Sequence, residues 1–184
     1  MTDVAKALLV DDRRENLLAL EAILQGIAVQ PVAVESGEAA LKQLLLDDFA
    51  VILLDAQMPD MDGFETAGHI KRRERTRHVP IIFLTAADRD SHLAVRGYSV
   101  GAVDYLTKPL DPWVLRAKVS VFVDLWSKNR QLQLQAETVR EREAQWASLT
   151  EAVDESLTIL RDGAGDPSAV ARAVHVLETA RWGS

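Results

Sequence analysis

Ala7-Leu8-Leu9-Val10-Asp11-Asp12, with its counterpart Val51-Ile52-Leu53-Leu54-Asp55, is the stretch on which the fold turns. Each is a short, unbroken apolar run that ends in acid. Runs without alternation fit strands covered by helices on both faces of a parallel sheet. In such sheets ligands and chemistry collect at the carboxyl ends of the strands, where Asp11, Asp12 and Asp55 are expected. Two neighbouring strands of this kind crowd the three acids together. At about 4 Å and an effective dielectric near 20, each pair of negative charges repels by roughly 4 kcal/mol. A cation has to sit among them. Hard oxygen donors that need not build a full cage suit Mg2+, which keeps several waters and takes its remaining ligands from a phosphate.

Outward from these two runs, apolar segments alternate with amphipathic ones up to about residue 124, the sign of repeated βα units. Strands are expected near 6–10, 29–34, 50–55, 80–85 and 102–106. Helices are expected over roughly 14–25, 37–47, 63–75, 89–99 and from 112 onward. Pro31 lacks the amide hydrogen a central strand needs, so the second strand belongs at a sheet edge. The order 2-1-3-4-5 satisfies this, and it places strands one and three side by side at the point where the connections diverge. Gly26 suits the end of the first helix and Ser36 the N-cap of the second. Pro80 opens its strand at a tolerated position. The basic cluster Lys71, Arg72, Arg73, Arg75 and Arg77 reads as a solvated helix end complementing the dipole.

The composition excludes several classes of function. The 184 residues allow one ordinary domain plus an appendage, and the hydrophobic fraction of 48% supports a sizeable core. There is no cysteine, hence no disulfide framework, thiol chemistry or Cys-based zinc site. No apolar stretch reaches the length of a membrane span, and the Met1-Thr2-Asp3 start has no signal-peptide pattern, so a cytoplasmic protein is expected. A net charge of −7 argues against a general nucleic-acid surface.

Asp55 leads into Ala56-Gln57-Met58-Pro59-Asp60-Met61-Asp62-Gly63, a tight polar loop, and two further strand ends supply Thr85 and Lys108. A carboxylate nucleophile, a metal clamp, a hydroxyl and an ammonium form a set suited to phosphoryl transfer. Singly these residues are unspecific: an acid at a strand end is commonly a helix cap, and a lone Thr or Lys is commonly structural or solvated. Their joint placement at four strand ends carries the argument. With these motifs the chain resembles the receiver domain of two-component response regulators over about residues 5–122. The resemblance implies a flavodoxin-like fold in which Asp55 accepts a phosphoryl group from a histidine kinase or phosphotransfer protein. It also implies direct Mg2+ ligation by Asp12, Asp55 and the Gln57 carbonyl, with Asp11 acting through a bound water. Lys108, before Pro109 in what looks like the family's cis peptide, would contact a phosphate oxygen, while Thr85 and Tyr105 would move with the switch. The readout surface is then the helix near 89–99, the strand near 102–106 and the helix from 112. Gln57 and Ala87 occupy positions that in the family tune water access to the aspartyl phosphate.

Beyond the receiver (1–124) lies a helical extension (125–184). After Asp111-Pro112, an N-cap and first-turn pair, neither Pro nor Gly occurs until Gly163. A helix to about 161 would span roughly 75 Å at about 1.5 Å per residue. Val114, Leu115, Val119 and Phe122 are expected to pack on the sheet. Further on, Leu125, Leu132, Val139, Trp146, Val153 and Leu160 recur every seven residues, which points to parallel self-association as a homodimer, with Asn129 a register-setting polar residue. The alternative is a helix that breaks and folds back on its own domain. Gly163-Ala164-Gly165 makes a turn and Asp166-Pro167 starts a helix to about Arg181. Its stripe Val170, Ala173, Val174 and Leu177 is expected to pack on Trp146, Leu149, Val153 and Leu157 as a helical hairpin. His175, with Glu178 nearby, invites a phosphotransfer reading, but a histidine on a helix is usually a surface or packing residue, and it reads as one. Residues 125–184 show no basic stripe and no second nucleotide or metal motif, so neither direct nucleic-acid binding nor a further enzyme is expected there.

The leading reading is thus a phosphorylation-controlled signalling switch whose only catalysis is its own phosphorylation and dephosphorylation, with output by helical assembly or docking. A second is a constitutive dimeric scaffold with a non-switching acid pocket. A third, an aspartyl-phosphate phosphohydrolase of small molecules, lacks any cap insertion or evident substrate pocket.

Overall fold

The computed structural model describes residues 4–86, 104–164 and 166–182. Five strands form one sheet: β1 (Lys6–Val10), β2 (Gln30–Val34), β3 (Val51–Asp55), β4 (Ile81–Ala86) and β5 (Asp104–Lys108). They pair in parallel in the order β2-β1-β3-β4-β5, as Pro31 requires. Central β3 is buried throughout, whereas the edge strands β2 and β5 are partly exposed. The register Val10↔Leu54 puts Asp11 beside Asp55 at the carboxyl edge.

Continuous apolar runs divide their side chains between two cores because successive residues point to opposite faces. Leu8, Val10, Ile52 and Leu54 pack with Ala40 and Leu44 of α2 (Gly37–Leu46) and with Phe64, Ala67 and Ile70 of α3 (Gly63–Arg72). Ala7, Leu9, Val51 and Leu53 pack on the other face with Leu17, Leu20 and Leu24 of α1 (Arg14–Leu24). The same core takes Leu115, Val119 and Val123 from the first turns of α4 (Pro112–Asp162). Phe122 is partly buried there, but Val114, expected to join it, is 40% exposed.

Local signals place the helix ends. Gly26 adopts φ +88°, the left-handed conformation that ends α1 without a Cβ clash. Ser36 accepts from the Ala39 amide at 3.2 Å, Asp62 from the Glu65 amide at 2.7 Å and Asp111 from the Trp113 amide at 2.8 Å. The third helix stops at Arg72, three residues before the expected 75. The basic cluster is accordingly more than a solvated helix end. Lys71 donates to the carbonyls of Arg77 and Val79 at 2.9 and 2.8 Å, and Arg75 reaches the Leu45 carbonyl and Asp48, so these cations tie down the segment leading into β4. The fifth strand also runs further than expected, to Lys108. The helix expected near 89–99 lies outside the described residues, as does Ala87.

The chain divides into two compact units, Met1–Lys128 and Asn129–Ser184. In the second, α4 continues unbroken to Asp162 and α5 (Pro167–Trp182) follows a turn closed by the Gly163 amide on Ile159 O at 2.9 Å and the Asp166 amide on Gly163 O at 2.8 Å. The expected hairpin is present, but through different side chains. Among the described residues of this unit Ala152, Ser156, Ala169 and Ala173 are the buried ones, with Ser156 Oγ donating to Ala173 O at 3.1 Å. Of the expected stripe only Ala173 is buried; Val170 and Val174 are 59% and 46% exposed. Small side chains let the two backbones approach closely, and the larger ones are left outside. His175 is exposed.

Candidate functional site

Each acid owes its position to where a strand ends. The first strand finishes at Val10, so the chain turns at Asp11 and Asp12 above the sheet, and β3 carries Asp55 as its last residue. Carboxylate oxygens of Asp11, Asp12 and Asp55 lie within 4.8 Å of one another. Asp11 is fully buried and Asp55 nearly so, while Asp12 and Gln57 are exposed at the mouth. At the end of β5, Lys108 reaches back across the sheet edge. Its Nζ donates to Asp11 Oδ2 at 2.8 Å and to Asp55 Oδ2 at 2.9 Å. The Lys108–Pro109 peptide is cis.

The remaining oxygens of the buried acids are also satisfied. Asp11 Oδ1 accepts from the Asn16 side-chain amide at 2.8 Å and from the Arg13 backbone amide at 3.0 Å. Asp55 Oδ1 accepts from the Gln57 amide at 3.3 Å. Burial, the largest influence on Asp55, pushes its carboxyl above the ordinary 3.8; Lys108 and the Gln57 amide pull it back only in part, and the charge on Asp11 adds to the rise. For Lys108, burial pulls the ammonium down, yet the hydrogen bonds and charges of Asp11 and Asp55 together outweigh it and hold the group above 10.5.

The loop after Asp55 is held against the sheet and the start of α3. The Ala56 amide donates to Leu84 O at 2.9 Å and the Gly63 amide to Ala56 O at 3.2 Å. Gly63 has no alternative: a Cβ there would overlap the Asp55 carbonyl oxygen and stand 2.9 Å from Ala56 Cα.

The structure therefore brings together Asp11, Asp12, Asp55 and Lys108. It does not draw in the Thr85 hydroxyl, which donates to the carbonyl of neighbouring Ala86 at 2.8 Å. Tyr105, paired with Phe83 across the β4–β5 ladder, is 43% exposed. Asn16 was missed by the sequence reading. Its signal is faint, an amide in the first turn of the helix that follows the acid.

A buried carboxylate pair bridged by a lysine at the switch point of a 2-1-3-4-5 sheet matches a known family. Residues 7–120 match the model of the response regulator receiver domain. The chain belongs to that family. It is 38% identical over 115 residues to the response regulator PleD of Caulobacter vibrioides, covering 62% of this chain and 25% of PleD. It is 37% identical over 97 residues to the phosphate regulon transcriptional regulatory protein PhoB of Escherichia coli, covering 53% of this chain and 42% of PhoB. This receiver thus spans less than half the length of these curated relatives. Among solved structures, a putative response regulator from Chloroflexus aurantiacus superposes with a TM-score of 0.62 at 30% identity, over 66% of this chain and 99% of that one. A receiver is a signalling module, and the acid group of this one is suited to holding a metal ion. No helix among the described residues is long and apolar enough to cross a membrane.

Proposed function

We propose that the chain is a phosphorylation-controlled switch of a His-Asp phosphorelay, with the receiver in residues 1–124 and an output extension in 125–184. The observation that carries this reading is the Lys108 ammonium lying between the buried carboxylates of Asp11 and Asp55. An Asp55 oxygen attacks the phosphorus of a phosphohistidine on a histidine kinase or phosphotransfer protein; the new O–P bond forms as the P–N bond breaks, and the imidazole nitrogen keeps the electron pair. Lys108 is placed to follow the transferred oxygens and offset their charge. The carboxylates of Asp11, Asp12 and Asp55 offer hard oxygens within 4.8 Å of one another, a set that suits Mg2+; in this reading Asp12, Asp55 and the Gln57 carbonyl would hold the ion, with Asp11 behind a water. When bound, the ion supplies neutralisation of phosphoryl charge.

A phosphoryl group adds roughly −1.5 to −2 charges at Asp55 and new acceptor oxygens. Two groups can answer it: the Thr85 hydroxyl by leaving the Ala86 carbonyl, and Tyr105 by turning inward beside it. The signal then passes to the helical extension, which we take to form a homodimer or a docking site. Neither a nucleic-acid surface nor a membrane is part of this scheme.

Incubation with labelled acetyl phosphate and Mg2+ tests the assignment. Wild-type protein takes up label that is lost in alkali, and Asp55→Asn takes up none; equal labelling of the two overturns it. The scaffold reading draws on the same ion pairs, since Lys108 satisfies the acids without a metal. Beryllofluoride separates the two, because a scaffold keeps its solution mass and its helical dynamics unchanged on adding the mimic.

A further inference from the structure

Residues 69–78 carry five Lys or Arg against one Glu, in a chain whose net charge is −7. The fold uses two of these cations: Lys71 donates to the Arg77 and Val79 carbonyls, and Arg75 to the Leu45 carbonyl and Asp48. Arg72, Arg73 and Arg77 are exposed, and their guanidinium groups form no hydrogen bond or ion pair among the described residues. Backbone geometry keeps them close. Arg72 is the last residue of α3, and the Arg77 amide donates to the Arg73 carbonyl at 2.8 Å, closing a helical turn. That turn is anchored by buried Thr76, whose hydroxyl donates to the Ile70 carbonyl at 2.8 Å, so it does not depend on the three arginines.

Through its two bonds Arg75 also pins the end of α2 to this segment. Leu44 there is buried, while Leu45 and Leu46, about 100° and 200° further round the helix, are 57% and 74% exposed. Two protruding leucines thus border three uncompensated arginines. They lie at the amino edge of the sheet, where α2 and α3 end and β3 and β4 begin. The length of β3, about 13 Å, separates this surface from Asp55.

We propose that this surface docks an acidic, leucine-bearing segment of a partner protein and leaves the acid pocket free. Charge complementarity selects the occupant. The cations left unused are all arginines, whose planar fork takes a carboxylate bidentately, whereas the lysine of the cluster is occupied by carbonyls. The neighbouring leucines call for apolar side chains on the same ligand. Asp47, Asp48 and Glu74 lie among the cations, a mixture that suits a polypeptide better than a uniformly anionic lipid surface. Residues 45–48 and 69–78 include no Phe, Tyr or Trp on which a nucleic-acid base could stack.

The test uses the full-length protein and a fluorescein-labelled helical peptide with glutamates along one stripe and leucines along the next. Anisotropy is expected to show saturable binding that weakens as salt is raised. Arg72→Gln, Arg73→Gln and Arg77→Gln combined should lower the affinity about tenfold through the loss of three exposed charge pairs. Leu45→Ser with Leu46→Ser should also lower it, with the salt dependence unchanged. All five side chains are exposed, so both variants are expected to keep the circular dichroism of wild type and its labelling by acetyl phosphate. If the peptide does not bind, or if either variant binds it like wild type, the proposal is overturned. Tighter binding to phosphatidylglycerol vesicles or to poly(U) RNA than to the peptide overturns it in favour of a lipid or nucleic-acid partner. Because labelling at Asp55 is read separately, failure here leaves the phosphorelay reading standing.

Discussion

Two glycines in one helix give opposite and separable predictions. Gly63 and Gly68 both lie in α3, but a Cβ at Gly68 meets nothing within 4 Å, whereas one at Gly63 overlaps the Asp55 carbonyl and the backbone of Ala56. Gly68→Ala relieves the conformational entropy cost of glycine inside a helix, a gain of about 0.8–1 kcal/mol and roughly 3 °C in melting temperature. Gly63→Ala has to push the Asp55 carbonyl away by well over 1 Å to restore ordinary contact near 3.5 Å. Overpacking of this kind costs about 1–3 kcal/mol, and the atoms that move belong to the loop carrying Asp55 and Gln57. A displacement near 1 Å at a reacting centre costs on the order of 100-fold in rate. Thermal melts and the initial rate of labelling by acetyl phosphate, measured for both variants, check the argument. If Gly63→Ala melts and labels like wild type, the close approach of α3 to the acid loop is not what positions Asp55.

Four further perturbations follow from the same structure. Lys108→Met removes an ammonium, 28% exposed, that is bonded to both buried acids, and should destabilise metal-free protein by about 2–4 kcal/mol; Mg2+ should restore more stability to the variant than to wild type. Asn16→Leu leaves Asp11 Oδ1 with the Arg13 amide alone, so a loss of about 1–3 kcal/mol and slower labelling are expected, and unchanged denaturant midpoints contradict that. Burial raises the Asp55 carboxyl, so its folded-state value exceeds the unfolded one; the associated stability is complete below 3.8 and is lost as pH rises through the raised value. Melts in EDTA should then show wild type losing stability relative to Asp55→Asn as pH climbs above 3.8, and a difference moving the other way refutes the sign. Ala173→Leu overfills the small-residue contact between α4 and α5 and should open the hairpin at a cost of about 1–3 kcal/mol, read as faster hydrogen exchange in α5 with the exchange of β3 unchanged.

Much of the receiver was legible residue by residue. Unbroken apolar runs identified the buried strands because a strand covered on both faces has no polar side to show, and their ends located Asp11, Asp12 and Asp55. Pro31 placed β2 at an edge through a missing amide hydrogen, which ordered the sheet. Ser36, Asp111 and Gly26 marked helix ends through local bonds or backbone angles, all within a few residues of chain, while the cap at Asp62 emerged only in the structure. The tertiary structure alone decided which groups meet across long separations. Lys108 bonds to Asp11 across 97 residues of chain, and nothing local says that an ammonium, before any metal, lies between the two buried acids. Asn16 belongs to the site only because the start of α1 leans over the end of β1. The hairpin shows the same limit from the other side: apolar periodicity told which residues avoid water, but the helices approached through Ala152, Ser156, Ala169 and Ala173, because contact distance between backbones depends on side-chain size, which a hydrophobic pattern does not encode.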